Sequence, residues 1–497
     1  LTLMDMNLDG TGENCGYVIS NNCGNTKIGG DTNITAKDGK VAFDLYFWPD
    51  NGYVDGVTVT FLDNMTGTVK GRVEYTSDNT KPESEWLENA KLTINNGTFD
   101  IEIDDTTSGN TANIEIVKGS FTSDVSDYMD ANSKLLKDEE GNYVVMDDKA
   151  FEKSDKEFYI SDEDDLKLAE KYQADGVTWV LENDTYELEN KIRILKDVEI
   201  VGNDSTLKYV GAKISEDRGN GSFIDVMNGA DVTVEDLKLD GNNKKVRHGF
   251  NVFTGSNDDT AKLTLKNVEI KDCGAYAIQN TSSDVTVKDI TTSGNGWGGI
   301  GVDNKYNVDD ADFVMESGNI TEETSVKIEK SIDGEGEQLT TKATIKGGTF
   351  EGKIEAKENS LLNIKGGTFE GEVEADSKDN LTITSGTFTN DVSDYMDEES
   401  TLVKDEDGNF VIMDEEEYDK YLHSKRPTHS YELEEGKVDR DEDKEEPVVT
   451  TKPEEEAGPF SDVGKDNPNY DAIIKVYENG WMAGIGEGVF APNGTLT

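Results

Sequence analysis

The chain has 497 residues, with 105 Asp and Glu against 48 Lys and Arg, for a net charge of −57. So negative a surface repels phosphate backbones and anionic lipid, and no stretch approaches the roughly 18 apolar residues of a membrane span, which excludes nucleic-acid binding and a transmembrane segment. Only 34% of residues are hydrophobic, too few for one thick core but enough for an elongated one.

Leu1-Thr-Leu-Met-Asp reads as mid-domain strand, with no charged-then-apolar leader. The expectation is a fragment whose signal peptide, if any, lies upstream. Asp5, Asn7 and Asp9 followed by Gly10 have the opening spacing of an EF-hand loop, but Gly16 stands where the bidentate acid is needed. Ca²⁺ at Asp5, Asn7 and Asp9 is therefore the weaker reading beside a strand run, and no other cofactor is indicated. Cys15 and Cys23 are near enough in sequence to pair, leaving Cys273 over. The three histidines have no metal-ligand spacing.

Ser161 to Tyr172 predicts a helix, with Ser161 as N-cap, acids in the first turn and Leu166, Leu168, Ala169 and Tyr172 as the apolar stripe. Strands follow at Val177–Leu181 and Lys191–Ile194. Val232–Leu239, Leu263–Ile270 and Val285–Thr292 align without gaps. Each alternates apolar and polar residues, turns at Asp236, Asn267 or Asp289, and alternates again. Asp and Asn tolerate the left-handed backbone of a tight corner, so these three, preceded by Asp197, predict a stacked Asx ladder. A Gly-led third segment follows each run, at Gly249, Gly274 and Gly299.

Between the first such run and its third segment lies Lys244-Lys-Val-Arg-His248, a cationic cluster in an acidic chain. Lys245, Arg247 and His248 with Asp240 have the residue types a polysaccharide lyase needs, a base and a charge to neutralise a uronate carboxylate. The competing readings are cations paired with neighbouring acids, or a glycan contact without catalysis. Trp297, flanked by glycines, either stacks on a sugar ring or folds back onto its own coil.

Ile345, Ile364 and Ile383 open three Gly-Thr-Phe units at equal intervals. Units of about 20 residues, built of β-branched runs and glycine turns, cannot bury an apolar side alone and must stack. Three strands per unit with an Asx corner resemble the right-handed parallel β-helix of pectate-lyase-like proteins, where an amphipathic helix also covers the first coil. Phe121–Met129 and Gly141–Met146 recur, at one constant offset and without gaps, as Phe388–Met396 and Gly408–Met413. Such units closing on Asp-Val-Ser-Asp-Tyr resemble repeat regions of Gram-positive surface proteins. The expected fold is all-β: a first β-helix module at 1–146, truncated at its N-terminus, a connector at 147–157, and a second module with a cap helix at 158–414.

Residues 415–457 contain 16 acids and 7 bases, with Pro427, Pro447 and Pro453, and read as an acidic disordered linker. From 458 to 497 the chain shows Phe460-Ser-Asp-Val, an aromatic-led helix, Gly480-Trp and Phe490-Ala-Pro. In that order they resemble the first part of an S-layer homology domain, a small helical module. The resemblance implies anchoring to secondary cell-wall polysaccharide, with Asp462, Trp481 and Gly484 as groove residues. The family's arginine would follow Thr497, so this groove is incomplete.

The expectation is thus a secreted, wall-anchored β-helical scaffold or adhesin facing an extracellular glycan or host surface. The alternative is a surface-anchored polysaccharide lyase or hydrolase acting at 240–248; a duplication without a second cationic cluster leans against an enzyme.

Overall fold

The computed structural model describes residues 1–47, 56–77, 88–106, 112–217, 219, 221–256, 258–331, 339–424, 470 and 473–475. The chain divides into two compact units, Leu1–Arg426 and Pro427–Thr497. In the second, the described residues are helical, with Ile473 buried against Tyr470 and Ile474.

The first unit is mostly β, with long parallel ladders and few helices. From Glu157 onward the chain threads three ladders in turn. In the first, Phe158, Trp179, Ile200, Val234, Leu265, Val287, Met315, Ile345, Ile364 and Ile383 stand level, each on the next. All are buried. A second column runs from Tyr186 through Leu207, Leu239, Ile270, Thr292, Ile320, Phe350 and Phe369 to Phe388. A third runs from Ile192 through Ile224, Phe250, Ile278, Ile300, Val326 and Ile354 to Val373. Period-2 alternation of Val, Ile, Leu and Phe with polar residues turns one face of every strand inward, which a stack of thin layers requires. Phe350, Phe369 and Phe388 stack nearly parallel with centroids 4.8 Å apart, so the regular spacing of the Gly-Thr-Phe units becomes a continuous aromatic pile.

The first two ladders join through the corner. Strands Lys262–Lys271 and Ser360–Phe369 each bend through it and belong to both, so the pairings between them close a ring of eight parallel strands. Asp236, Asn267 and Asp289 hold this corner with φ of 55°, 52° and 54°, and Asn267 Nδ2 donates to Asp236 Oδ1 at 2.6 Å. Beyond Asp289 the corner passes to Gly318, Gly348, Gly367 and Gly386, with φ of 117° to 152°. Asp197 is not part of the column. The strand Val198–Tyr209 starts level with Val232, which leaves Asp197 at the head of the first ladder, where its Oδ1 accepts from the Asp231 N–H at 2.8 Å. Its coil turns instead through Asn203 and Asp204, at φ 51° and 64°, because three residues there oppose one in the next strand.

The N-terminal part repeats the pattern, with columns Leu3, Ile28, Phe61, Ile94, Ile116 and Leu8, Ile34, Val69, Phe99, Phe121. The long-range sequence repeat holds in space. Single-turn helices occupy Ser126–Tyr128 and Ser393–Tyr395, and isolated parallel bridges join Ile116 to Met129 and Ile383 to Met396. Each copy then ends in an antiparallel hairpin, Lys134–Lys137 with Tyr143–Met146 and Thr401–Lys404 with Phe410–Met413.

Segment 147–157 is structured. It holds helix α1 (Asp148–Phe151), capped by Asp147, with Phe151 buried in a core that runs unbroken from Leu3 to Ile412. Helix α2 spans Glu163–Lys171, and its N-cap is Asp162, which accepts from the Asp165 N–H; Ser161 lies one residue earlier and donates its hydroxyl to Asp165. Residues 415–424 correct the linker reading: they form helix α3 (Glu415–Ser424). Asp414 caps it by accepting from the Glu417 N–H at 2.8 Å, and Glu417 ties it to Ser385. The rest of the expected linker, 425–457, lies outside the described residues. Among those described, no helix is long and apolar enough to cross a membrane.

Candidate functional site

The third ladder turns one row of side chains outward. Arg193, Asp225, Asn251 and Gln279 stand level on successive strands, the first three each between two buried apolar neighbours and Gln279 between Ile278 and the buried Asn280. Gly219, Ser222, Arg247, His248, Trp297, Lys305 and Tyr306 stand in loops beside this row and, with Asp303, line a cleft of about 630 Å³.

Aromatic rings and cations flank it. At one wall the Arg247 guanidinium lies 4.3 Å from the centroid of the Trp297 ring, and Trp297 is 51% exposed. Behind them His248 stacks parallel to Tyr276 at 6.2 Å, and Trp297 meets Tyr276 edge-on at 5.8 Å. At the other wall Phe253 and Tyr306 pack edge-to-face at 5.6 Å beneath the Lys305 ammonium. Glycine makes the first wall possible. Gly298 has φ +153°, and a Cβ there would stand 2.4 Å from the Thr324 carbonyl oxygen, so only glycine lets the Trp297 loop lie this close to the next coil.

The carboxylates and the imidazole of the cleft are already engaged. Asp225, almost wholly buried, pairs with the Lys191 ammonium at 2.7 Å and accepts from Asn251 Nδ2 at 3.0 Å. Asp303 accepts from the Ser331 N–H at 2.8 Å. His248 Nδ1 accepts from the Tyr276 N–H at 3.3 Å, which assigns the proton of the neutral ring to Nε2. Burial, with the Arg247 charge beside it, pulls His248 down to about 3. An imidazole that holds a proton so weakly is a poor general base near neutrality.

The cationic run of 244–248 is therefore divided. Arg247 and His248 meet Trp297 in the cleft. Lys245 donates instead to the Val210 carbonyl at 2.9 Å, because Asn242, Asn243 and Lys244 all take left-handed backbone and turn the loop over the preceding coil. Asp240 accepts from the Asn242 N–H and faces Lys271 at 3.9 Å, outside the cleft lining. Arg193, Asp225, Asn251, Phe253, Asp303 and Tyr306 did not stand out in the sequence. The available signal was the polar residue between two apolar ones in Ile192-Arg-Ile194, Ile224-Asp-Val226 and Phe250-Asn-Val252.

Near the N-terminus, Asp5 Oδ1 accepts from the Asp31 N–H at 2.9 Å, and Asn7 is a strand residue level with Asn33. Asp9 Oδ1 accepts both the N–H and the hydroxyl of Thr11, which hold its carboxyl below the usual range. These are turn and strand contacts of stacked coils. Among the described residues no three His, Cys, Asp or Glu are grouped to hold a metal. Cys15, Cys23 and Cys273 are free thiols, and burial pushes Cys273 up. Asp462, Trp481 and Gly484 lie outside the described residues.

Residues 459–497 match the family model of the S-layer homology domain. No curated protein matches the chain. The match supports a protein anchored at the cell surface.

Proposed function

We propose that the chain is a wall-anchored surface protein whose first unit is a pair of tandem right-handed parallel β-helices, and that its third ladder holds a glycan. The long-range repeat of turn, bridge and hairpin supports two modules of one kind, at 1–146 and 158–414 with the connector at 147–157 between them. Stacked columns that return to the same three ladders support the helical reading, and the closed eight-strand ring follows from two strands bent at the corner. The S-layer homology segment supports attachment to secondary cell-wall polysaccharide, and hence an extracellular location.

The observation that carries the glycan reading is the half-exposed Trp297 beneath the Arg247 guanidinium, at the mouth of a cleft floored by amide and carboxylate side chains. An indole face accepts the apolar face of a sugar ring, amides bond its hydroxyls, and arginine selects a carboxylate-bearing sugar in an otherwise repulsive field. Binding without cleavage is the reading the geometry favours, since Asp225 and Asp303 are engaged and His248 is a weak base. The test is a glycan array with the full chain, followed by a depolymerisation screen on each bound polymer. The expected result is retention of an acidic polysaccharide without shortening, weakened at least tenfold by Trp297→Ala or Arg247→Ala. Retention unchanged in both variants refutes the cleft as the site, and polymer shortening lost in Arg247→Ala establishes the lyase alternative.

A further inference from the structure

The two terminal hairpins, at equivalent places in the two copies, have the same architecture but different surroundings. In the first copy, Lys137 of the edge strand Lys134–Lys137 pairs in parallel with Phe158, the strand that leads into α2. Leu135, Leu136 and Lys137 are all buried there. The Lys137 ammonium reaches Asp165 Oδ2 at 2.5 Å and Ser161 Oγ at 3.0 Å. Helix α2 also rests on the neighbouring single-turn helix, where the Tyr172 hydroxyl donates to the Ser126 carbonyl at 3.0 Å. The capping segment 157–172 thus pairs with the edge strand at Lys137 and closes on its ammonium, beside two buried leucines.

In the second copy the same surface is open among the described residues. Leu402 and Val403, the counterparts of Leu135 and Leu136, are half-buried, and Ser393 and Lys404, the counterparts of Ser126 and Lys137, are exposed. Strand Thr401–Lys404 pairs only with Phe410–Met413 among the described residues, which leaves its outer edge unpaired. Lys404 rests over the Phe410 ring at 4.2 Å, as Lys137 does over Tyr143 at 5.3 Å, but no buried carboxylate closes on it among the described residues. The dock therefore keeps its strand edge, its two aliphatic residues and its cation. An open edge of this kind is a template for strand addition.

We propose that the hairpin at 401–413 is a docking site for a further β-module in trans, one that presents an extended strand followed by an acid-capped helix of the type found at 157–172. The incoming strand lies along Thr401–Lys404, and a carboxylate one turn into its helix meets Lys404. The occupant is a partner with its own cap, because the segment at 157–172 of this chain is already engaged by Lys137.

The test uses the full chain and a fluorescein-labelled synthetic peptide of residues 155–174, titrated to millimolar concentration and followed by anisotropy. The expected result is saturable one-to-one binding, weakened at least tenfold by Leu402→Asp in the protein or Asp165→Asn in the peptide, and unchanged by Glu399→Gln. Absence of saturable binding, or binding that Leu402→Asp leaves intact, overturns the proposal. Sedimentation of the full chain covers the other occupant: self-association that Leu402→Asp abolishes and the peptide does not compete with assigns the edge to a second copy instead.

Discussion

Asp165 is the residue on which the joint between the two copies turns, and Asp165→Asn tests that directly. Its carboxylate is 2% exposed and receives the Lys137 ammonium, the Ser161 N–H and hydroxyl, and the Tyr143 hydroxyl. The Lys137 side chain is itself only 8% exposed, so neutralising Asp165 strands a buried cation. Breaking a buried pair from one side costs about 3–5 kcal/mol. The lower end applies here, because Lys137 keeps Ser161 Oγ and the Tyr143 ring. A loss of about 3 kcal/mol corresponds to roughly a hundredfold rise in local opening. The assay is native-state trypsin cleavage at Lys149, Lys153 and Lys156, which flank the joint. Replacing both partners by apolar residues, Lys137→Met with Asp165→Leu, removes the stranded charge and restores most of the protection. The pH dependence has a definite sign. Burial raises the Asp165 carboxyl, but the bonds from Lys137 and Ser161 outweigh it and leave it below the usual range. Its stabilisation is therefore complete above the unfolded-state value of about 3.9 and is lost as pH falls through the lower folded value. Wild type and Asp165→Asn should converge only in that acid range. Cleavage of Asp165→Asn within threefold of wild type at pH 7, or a double variant cleaved as fast as the single, refutes the reasoning.

Phe369→Ala should cost about 3–5 kcal/mol, since the ring is wholly buried and stacked at 4.8 Å on both faces; a fall of under about 1 kcal/mol in denaturant unfolding would show that the pile collapses without penalty. His248, pulled down to about 3, binds its proton more weakly folded than unfolded. Stability should accordingly decline from about pH 6.5 downward by at most ~1.4 kcal/mol per pH unit, and His248→Gln should flatten that limb in acid titrations of the melting temperature. Gly367→Val places a β-branched residue at φ +117°, a conformation it strongly resists. Its expected consequence is a melting temperature several degrees lower, whereas an unchanged melt would mean the corner accommodates a side chain.

Much of the fold could be read from residue order. The Gly-Thr-Phe units announce their stack because Ile, Gly, Thr and Phe each recur at one height, and Asp236, Asn267 and Asp289 mark the corner by their tolerance of left-handed backbone. Asp197 misled because Lys196-Asp-Val-Glu-Ile looks like the second half of a coil run, yet Val198 begins one. Helix α3 was hidden by its acids, since Tyr418, Tyr421 and Leu422 give only a thin apolar stripe in a charged segment. Of the candidate cleft, Arg247, His248 and Trp297 were legible as oddities of composition, while Arg193, Asp225 and Asn251 looked like ordinary outward positions of strands.

The sequence by itself determined the ladders, the corner and the long-range repeat, because each depends on local conformation and on apolar period. Tertiary structure alone decided which outward residues share a cleft. Coils in the second copy advance by unequal steps, a long one from Ile200 to Val234 and a much shorter one from Leu265 to Val287, and the extra length leaves the ladder in loops whose direction only stacking sets. It also decided the fate of two nearly identical hairpins, one sealed by the cap that follows it and the other open among the described residues. Hairpin residues of like sequence bury or expose the same lysine according to what the next stretch of chain brings against them.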